Sequence, residues 1–467
     1  MGDHLQQLAP LAAPLAAPAE AGAGPRLRVA FRTLGCRLNQ YDTEGLRAAM
    51  ARTRPIEVVG WDQPADLYVL NSCTVTGSAD QECRRLARQA KRRHPAGKVV
   101  IAGCYAQTRP DELAAIREVD AVVGNAAKDD VASWLPRVLG DSGRTLAVRE
   151  FAGDEVFDSP LIDAVSGRSR AFVKIQDGCN LRCTYCRIWQ ARGPGRSRSL
   201  QDVLRQLDLL RAAGYREAIL AGIHLGGYGR DLRPRVPLTA LLETTLAAFP
   251  DLRLRLSSIH PNEVTPALLE LFVRHRRLRP HLHISLQSGS SSVLQRMKRP
   301  YRAARARQAV QAAAAVAPEF GLGADLIVGF PGETEQEFAE TRRLVAELPF
   351  SYLHVFRFSP RAGTAAAAMP GRVHPETVSR RSAELRALAE DRQTAFADRL
   401  VGTVREAVIE AEGSLPGWRQ ATTDNYVGVM VPAGAADDLP PGTLVDVTVG
   451  ARRDGRLWAA AVRRKHS

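Results

Sequence analysis

Between residues 27 and 140 the chain alternates apolar runs with amphipathic ones, and no other feature narrows its fold as far. "LRVAFRTLG", "DLYVLNS", "KVVIAG" and "DAVVG" read as strands. "NQYDTEGLRAAMA", "GSADQECRRLARQAKRR", "RPDELAAIRE" and "DDVASWLPRVL" read as the helices that follow them. Strands joined one to the next through helices predict an α/β fold with a doubly wound parallel sheet.

The alternation resumes over 169–399. "AFVKIQ", "AILAGI", "LRLSSI", "LHISLQ", "GADLIVGF" and "YLHVFRFS" are strands, mostly separated by helical patterns. Six such units predict a partial (β/α)6 barrel whose active face is built from the loops after the strands. The helix "ETVSRRSAELRALAEDRQTAFADRL" closes this region. Residues 400–467 hold short β-rich runs between Gly/Pro turns, the pattern of a small antiparallel β-barrel. Residues 141–168, with Gly143, Gly153 and Pro160, read as a polar linker. In residues 1–26, Pro10, Pro14 and Pro18 interrupt an alanine-rich run that lacks a basic start. This segment is expected to be a disordered tail, not a signal peptide. No stretch is long and apolar enough to span a membrane. The expectation is therefore a cytoplasmic, monomeric chain whose seven cysteines stay reduced.

Those cysteines are not scattered. Cys36, Cys73 and Cys104 each follow directly on one of the first three strands. The carboxyl ends of strands in an open parallel sheet share the edge where ligands bind, so the three are expected to meet in one ligand site. Cys83 lies inside a helical run and reads as a small buried residue. Cys179, Cys183 and Cys186 stand in "CNLRCTYC", a C-x3-C-x2-C triplet after the first barrel strand. A structural zinc site wants four protein ligands, and ferredoxin spacing gives every iron a cysteine. Three thiolates on a 4Fe–4S cluster leave one iron open to a substrate or cofactor.

Lysine and arginine total 64 against 50 acids, a net charge of +14. That balance favours an acidic partner, most simply nucleic acid. "RRLARQAKRR" (84–93) and "RMKRPYRAARAR" (296–307) contain no acid, and Arg182, Arg187, Arg192, Arg196 and Arg198 crowd the triplet. Arg192, Arg196 and Arg198 are read as contacts for nucleic-acid phosphates, with affinity that falls as salt rises.

The triplet on the loop after the first strand of a six-unit barrel resembles the radical S-adenosylmethionine (SAM) superfamily. That resemblance implies SAM chelated at the open iron and cleaved to a 5′-deoxyadenosyl radical. "TLGCRLNQYDTE", "NSCTVT" and "GCYAQ" narrow the likeness to the methylthiotransferases. It implies a second 4Fe–4S cluster on Cys36, Cys73 and Cys104, and a C-terminal TRAM-like RNA-binding barrel. "RGPGRSRSL", "GIHLGGYGRDL", "SLQSGSSSVLQRMKR", "DLIVGFPGETEQEF", "LHVFRFSPRAGTAAAAM" and "TDNYV" are most similar to one branch. That branch adds a methylthio group to carbon 2 of N6-threonylcarbamoyladenosine at tRNA position 37, beside the anticodon. "CRIWQARG" departs from that branch's usual run. The resemblance offers His224 and Gly226 as SAM contacts, the alternative being a tight turn with a solvent-facing histidine. Gln287 and Ser288, at the end of the fourth barrel strand, are further SAM candidates, the alternative being strand-end capping. The "GFPGE" turn near Asp325 reads as structural, and Asn425 and Tyr426 as contacts to the tRNA anticodon stem-loop. The electron donor and sulfur source are not identified by sequence. The rival readings are methylthiotransferases of isopentenyl-adenosine or of a ribosomal-protein aspartate, and a non-catalytic zinc-containing RNA-binding protein.

Overall fold

The computed structural model describes residues 26–140, 143–411, 413, 415–436 and 439–465. The expected tail, apart from Arg26, lies outside them.

The N-terminal region contains β1 (Leu27–Thr33), α1 (Arg37–Thr53), β2 (Ile56–Val59), β3 (Leu67–Ser72) and α2 (Gly77–Arg93). It continues with β4 (Lys98–Gly103), α3 (Cys104–Thr108), α4 (Pro110–Ala114), β5 (Ala121–Gly124), α5 (Val131–Leu139) and β6 (Thr145–Ala147). The six strands form one sheet in the order β2-β1-β3-β4-β5-β6, every pair parallel. All of β3 and nearly all of β4 is buried, because helices cover both faces. The helix α2 starts where the Thr76 hydroxyl caps the Ala79 N–H, and ends in Lys91, Arg92 and Arg93. Both ends therefore suit a helix dipole.

Two strands escape the sequence reading. The edge strand β2 is half exposed, and β6 is three residues inside the stretch read as linker, too short to display a period. Of the helix expected over "RPDELAAIRE" only the single turn α4 forms, and Arg109, outside the helical region before Pro110, separates it from the preceding turn α3. The remaining linker is not loose. Ile162 and Val165 join the core of the next region, and Tyr41 donates to the Pro160 carbonyl at 2.8 Å.

The central region contains β7 (Ala171–Asp177), α6 (Ile188–Arg192), β8 (Arg196–Ser197), α7 (Leu200–Ala212), β9 (Glu217–Gly222), α8 (Leu238–Ala248) and β10 (Arg253–Leu256). It continues with β11 (Ser258–Ile259), α9 (Pro266–Arg274), β12 (His281–Gln287), α10 (Ser291–Arg296), α11 (Ala303–Ala314), β13 (Gly321–Val328), α12 (Glu335–Glu347), β14 (Tyr352–Arg357) and α13 (Pro375–Asp398). The strands form two four-stranded sheets, β10-β9-β7-β8 and β11-β12-β13-β14. The break falls within "LRLSSI", so one expected strand is two. A shared apolar core spans both sheets.

The C-terminal region contains β15 (Val404–Ile409), β16 (Trp418–Thr423), β17 (Gly428–Pro432), α14 (Ala433–Ala436), β18 (Leu444–Arg453) and β19 (Arg456–Arg464). Its strands close into a barrel in the order β15-β16-β17-β19-β18. The β17–β19 pair is parallel and the other pairs are antiparallel. Among the described residues no helix is long and apolar enough to cross a membrane.

This small barrel docks on the amino ends of the central strands. Asn425 donates to the Glu319 carbonyl at 3.0 Å. Its own carbonyl sits where a Cβ on Gly321 would lie only 2.1 Å away, so only glycine fits there. Beneath the seam, Glu217 is 1% exposed and meets Arg255 at 2.8 Å, Arg279 at 3.0 Å and Arg170 at 3.7 Å. Burial pushes its pKa up, but the three guanidiniums outweigh burial and bring it down to about 2. A carboxyl with a depressed folded-state pKa stabilises the fold above its unfolded pKa, and that stability is lost as pH falls through the folded value. The depression corresponds to ~3 kcal/mol at neutral pH. Glu217→Gln is therefore expected to lower the urea midpoint strongly at pH 7. The wild-type and variant midpoints should converge as pH drops from about 4 towards 2. Equal midpoints at pH 7 would contradict this account.

Candidate functional site

The central strands of the first sheet, β1, β3 and β4, are neighbours, so the loops leaving them meet. Cys36 caps α1, Cys73 follows β3, and Cys104 opens α3. Gly35 has φ +98°, and a Cβ there would lie 2.8 Å from the Cys73 sulfur. The loop thus passes over Cys73 only because residue 35 is glycine. The thiols sense one another. Burial, then the charges of Cys104 and Cys36, push the Cys73 thiol up to about 12. Cys104 is raised by burial and by Cys36. The Asn125 amide donates to the Cys104 sulfur at 3.3 Å. Arg361 donates to Thr74 at 2.9 Å and also pairs with Asp80, which anchors the loop bearing Cys73 to the central region.

The second triplet sits on the loop after β7. Gly178, with φ +69°, lets the loop turn against the Pro194 carbonyl. Arg299 donates to the Cys183 sulfur at 3.2 Å and to the Ser285 carbonyl at 3.2 Å. Cys186 is pushed up to about 12 by burial and by Cys183 and Cys179.

All seven cysteines are free thiols. Among the described residues, no three cysteine sulfurs lie within 4.8 Å of one another. A single tetrahedral zinc, with bonds of about 2.3 Å, draws its sulfurs to roughly 3.8 Å. The spacing of the triplets fits a larger inorganic centre whose separate irons each take one thiolate.

A chamber of about 1770 Å³ lies between the three regions. Cys36, Cys73, Gly222, Ile223, Ser285 and Tyr426 are among its lining residues. Gly222 and Ile223 lead directly into His224, whose ring bonds Glu263 and lies close enough to Cys179 for that thiol to raise its pKa. The second triplet therefore adjoins the chamber into which the first one faces.

The proposed SAM contacts divide. His224 is only 8% exposed, stacks on His260 at 4.7 Å, and its N–H bonds Gln176 at 2.8 Å. It is not a solvent-facing turn residue. Burial opposes its charge, yet Cys179 and Glu263 pull its pKa up to about 9. A Cβ on Gly226 would lie 2.1 Å from the Glu263 carboxyl carbon, so that glycine admits Glu263 to His224. Gln287 ends β12 in a left-handed conformation, φ 68°. Ser288 is fully buried, with its hydroxyl 3.2 Å from that of Thr341 on α12. Its hydroxyl is spent behind the strand.

The arginines expected to bind phosphate do something else. Arg192 is 1% exposed. It donates to both Asp177 oxygens at 3.0 Å, to Asp42 at 2.8 Å and to Asn39 at 2.6 Å. Arg198 is buried against Tyr41, Ser159 and the Lys174 carbonyl. Arg196 donates to the Arg192 and Pro194 carbonyls. Arg192 and Arg198 thereby bolt α1 of the N-terminal region to the barrel, and Arg196 braces the loop that carries Arg192. Asn425 and Tyr426 are likewise turned inward: Asn425 is fully buried, and the Tyr426 ring lies tilted against His281 with centres 4.5 Å apart.

Sequence reasoning missed the ionic cluster around Arg192. Lys174 bonds Asp42 at 2.5 Å and Asp177 at 3.3 Å, and Lys128 lies 3.6 Å from Asp42. Asp177 is held well below the usual carboxylate range; burial opposes this, and Arg192 and Lys174 prevail. Asp42 stands within "NQYD", four residues before Leu46 on α1. An acid at that place among apolar neighbours was the available signal. Also missed was a chain of contacts facing the chamber. His283 and His354 hold Asp325 at 3.0 and 3.2 Å, and Tyr352 lies 2.9 Å from His283.

Comparison with known proteins places these features. Residues 173–345 match the radical SAM superfamily, and residues 28–124 match "Uncharacterized protein family UPF0004". The threonylcarbamoyladenosine tRNA methylthiotransferase MtaB of Bacillus subtilis (strain 168) is 37% identical over 411 residues, covering 86% of this chain and 90% of that protein. The protein of the same name from Aquifex aeolicus (strain VF5) is 37% identical over 405 residues, covering 86% and 96%. Among solved structures, the radical S-adenosylmethionine methyltransferase TsrM from Kitasatospora setae aligns with a TM-score of 0.55 at 13% identity. It covers 85% of this chain and 81% of that one, a likeness of fold.

Proposed function

This chain belongs to the radical SAM methylthiotransferases and is a transferase of that family. From that premise we propose that it transfers a methylthio group to carbon 2 of N6-threonylcarbamoyladenosine in tRNA, using SAM and two 4Fe–4S clusters. Cys179, Cys183 and Cys186 would hold the cluster common to the radical SAM superfamily, and Cys36, Cys73 and Cys104 the second. When bound, the reduced cluster and SAM supply the radical chemistry.

The chain's own residues do the rest. Arg299, donating to the Cys183 sulfur, stabilises that sulfur as an anion. Glu263 and Gln176 fix the ring and backbone of His224 beside Cys179. His224 and Gly226 border the SAM pocket in this reading. Gln287 lies at the same strand end, whereas Ser288 serves the strand-to-helix turn. Arg192, Asp42 and Asp177 hold the two cysteine-bearing regions together so that both open on one space and water is kept from their seam.

The observation that carries this reading is the common chamber: Cys36 and Cys73 line it, and His224, next to its wall, lies close enough to Cys179 for that thiol to raise its pKa. Of the exposed arginines of α2, Arg85, Arg88 and Arg92 lie on one helical face and suit an RNA backbone. Trp418 and Trp458, packed edge-on at 4.5 Å, give the C-terminal barrel an aromatic patch. Engagement of the anticodon stem-loop is part of the proposal.

The test is anaerobic reconstitution, then incubation with tRNA carrying either N6-threonylcarbamoyladenosine or N6-isopentenyladenosine, with nucleosides read by mass spectrometry. A methylthio product is expected on the first alone. A product only on the second, or on a ribosomal protein, would overturn the substrate. Protein that takes up zinc and no iron would overturn the enzyme.

A further inference from the structure

Three guanidiniums pack on the Tyr426 ring: Arg255 at 5.2 Å, Arg170 at 5.6 Å and Arg37 at 5.6 Å. Two of them are neutralised. Arg255 pairs with Glu217 at 2.8 Å, and Arg170 with Glu410 at 2.7 Å. Arg37 has no carboxylate partner among the described residues. It donates to the Tyr426 hydroxyl and lies over the Phe172 ring at 5.7 Å. It also lines the chamber directly beside Cys36. Of the acids lining that chamber, Asp325 is already engaged by His283 and His354.

A half-buried guanidinium held between two rings, fixed through one nitrogen and lacking an anion, is a prepared carboxylate fork. Its place in the chain limits which carboxylate it meets. In the proposed reaction the cluster on Cys36, Cys73 and Cys104 would supply the methylthio unit, so carbon 2 of the adenine must come to that triplet. Carbon 2 and carbon 6 of a purine flank the same ring nitrogen, so a substituent on N6 emerges along the edge that faces this triplet. Resting on that reading, we propose that Arg37 binds the carboxylate of the N6-threonylcarbamoyl group. It thereby selects this base over adenosines whose N6 substituent is uncharged. Phe172 and Tyr426 hold the guanidinium in place, so the inward turn of Tyr426 serves specificity as well as docking.

The experiment uses the cluster-loaded, full-length enzyme and two anticodon stem-loop RNAs. One carries N6-threonylcarbamoyladenosine and the other its carboxamide, nearly the same in shape but uncharged, with an NH2 donor in place of one acceptor oxygen. Turnover gives kcat and KM, and fluorescence anisotropy gives binding independently of chemistry. The wild type is expected to favour the carboxylate about tenfold or more, in both KM and affinity. Arg37→Met should bring that ratio close to one, and Arg37→Lys should restore part of it. A wild type that binds and turns over both RNAs equally overturns the proposal without any variant. So does Arg37→Met if it slows both substrates alike and keeps the ratio, since that would leave Arg37 a purely structural bolt. A wild type that methylthiolates neither RNA overturns the substrate reading, and the proposal with it.

Discussion

Cys73→Ser is expected to abolish methylthiolation while SAM cleavage continues. Cys73 is 6% exposed and faces Cys36 and Cys104 across the loop that Gly35 permits. A serine oxygen keeps the shape but is a hard, weakly acidic ligand where iron–sulfur chemistry wants a soft thiolate. The barrel triplet stands on another loop, anchored by Gly178 and Arg299, and does not depend on Cys73. Iron should therefore fall from about eight to about four per chain, one cluster's worth. Transfer to tRNA should drop by at least ~10³-fold, since removing a group that holds the transferred unit removes the reaction and not merely a contact. Formation of 5′-deoxyadenosine without tRNA should stay within about threefold of wild type. Cys83→Ser provides the contrast. Cys83 is fully buried in α2 and should keep all its iron, losing only the roughly 1–3 kcal/mol that a buried hydroxyl without a partner costs. If Cys73→Ser kept full iron and turnover, the N-terminal triplet would not be a cluster site.

The sequence carries the strand–helix alternation clearly, because each β/α unit writes its own period into the chain. Cys36, Cys73 and Cys104 were legible as a group for the same reason: each stands at the end of a readable strand. What could not be read was anything set by a distant partner. Arg192 sits six residues after Cys186, so counting along the chain placed it in a basic rim. Its true neighbour is Asp42, 150 positions away. Tyr426 looked like a surface contact of a terminal barrel, yet its ring is packed by arginines from both earlier regions, at positions 37, 170 and 255. The strand β6 failed for a simpler reason. Three residues that gain their place only by pairing with β5 carry no local signal. Basic residues near a metal motif therefore argue for nucleic acid only after buried acids elsewhere in the chain have been matched to them.

Arg192→Met is expected to be the most destabilising single change at the seam between the two cysteine-bearing regions. One guanidinium there serves both sides, giving one nitrogen to Asp177 of the barrel and the other to Asp42 and Asn39 of α1. All of these groups are buried, with Arg192 at 1%, Asp42 at 1% and Asp177 at 3%. Removing the cation takes from Asp42 and Asp177 the bonds that Arg192 gave them and leaves them to share Lys174 and Lys128, the second of which also serves Asp129, where water cannot enter. Breaking a buried pair by deleting one partner costs about 3–5 kcal/mol, enough to lower the urea midpoint severely in a fold of ordinary stability. Arg192→Lys should recover little, because a single ammonium nitrogen cannot sit against Asp177 and also reach Asp42 and Asn39, which the second guanidinium nitrogen serves. Arg192→Met combined with Asp42→Asn should lose less than the sum of the two single changes, since the second removes an acid that the first stranded. The same contacts carry a functional cost. Asn39 faces the Cys104 sulfur at 3.9 Å, so the variant should also hold iron less firmly at the N-terminal triplet than at the barrel one. An Arg192→Met protein within about 1 kcal/mol of wild type, with strictly additive double-mutant behaviour, would mean that solvent reaches the seam and that something other than this ionic cluster holds the two regions edge to face.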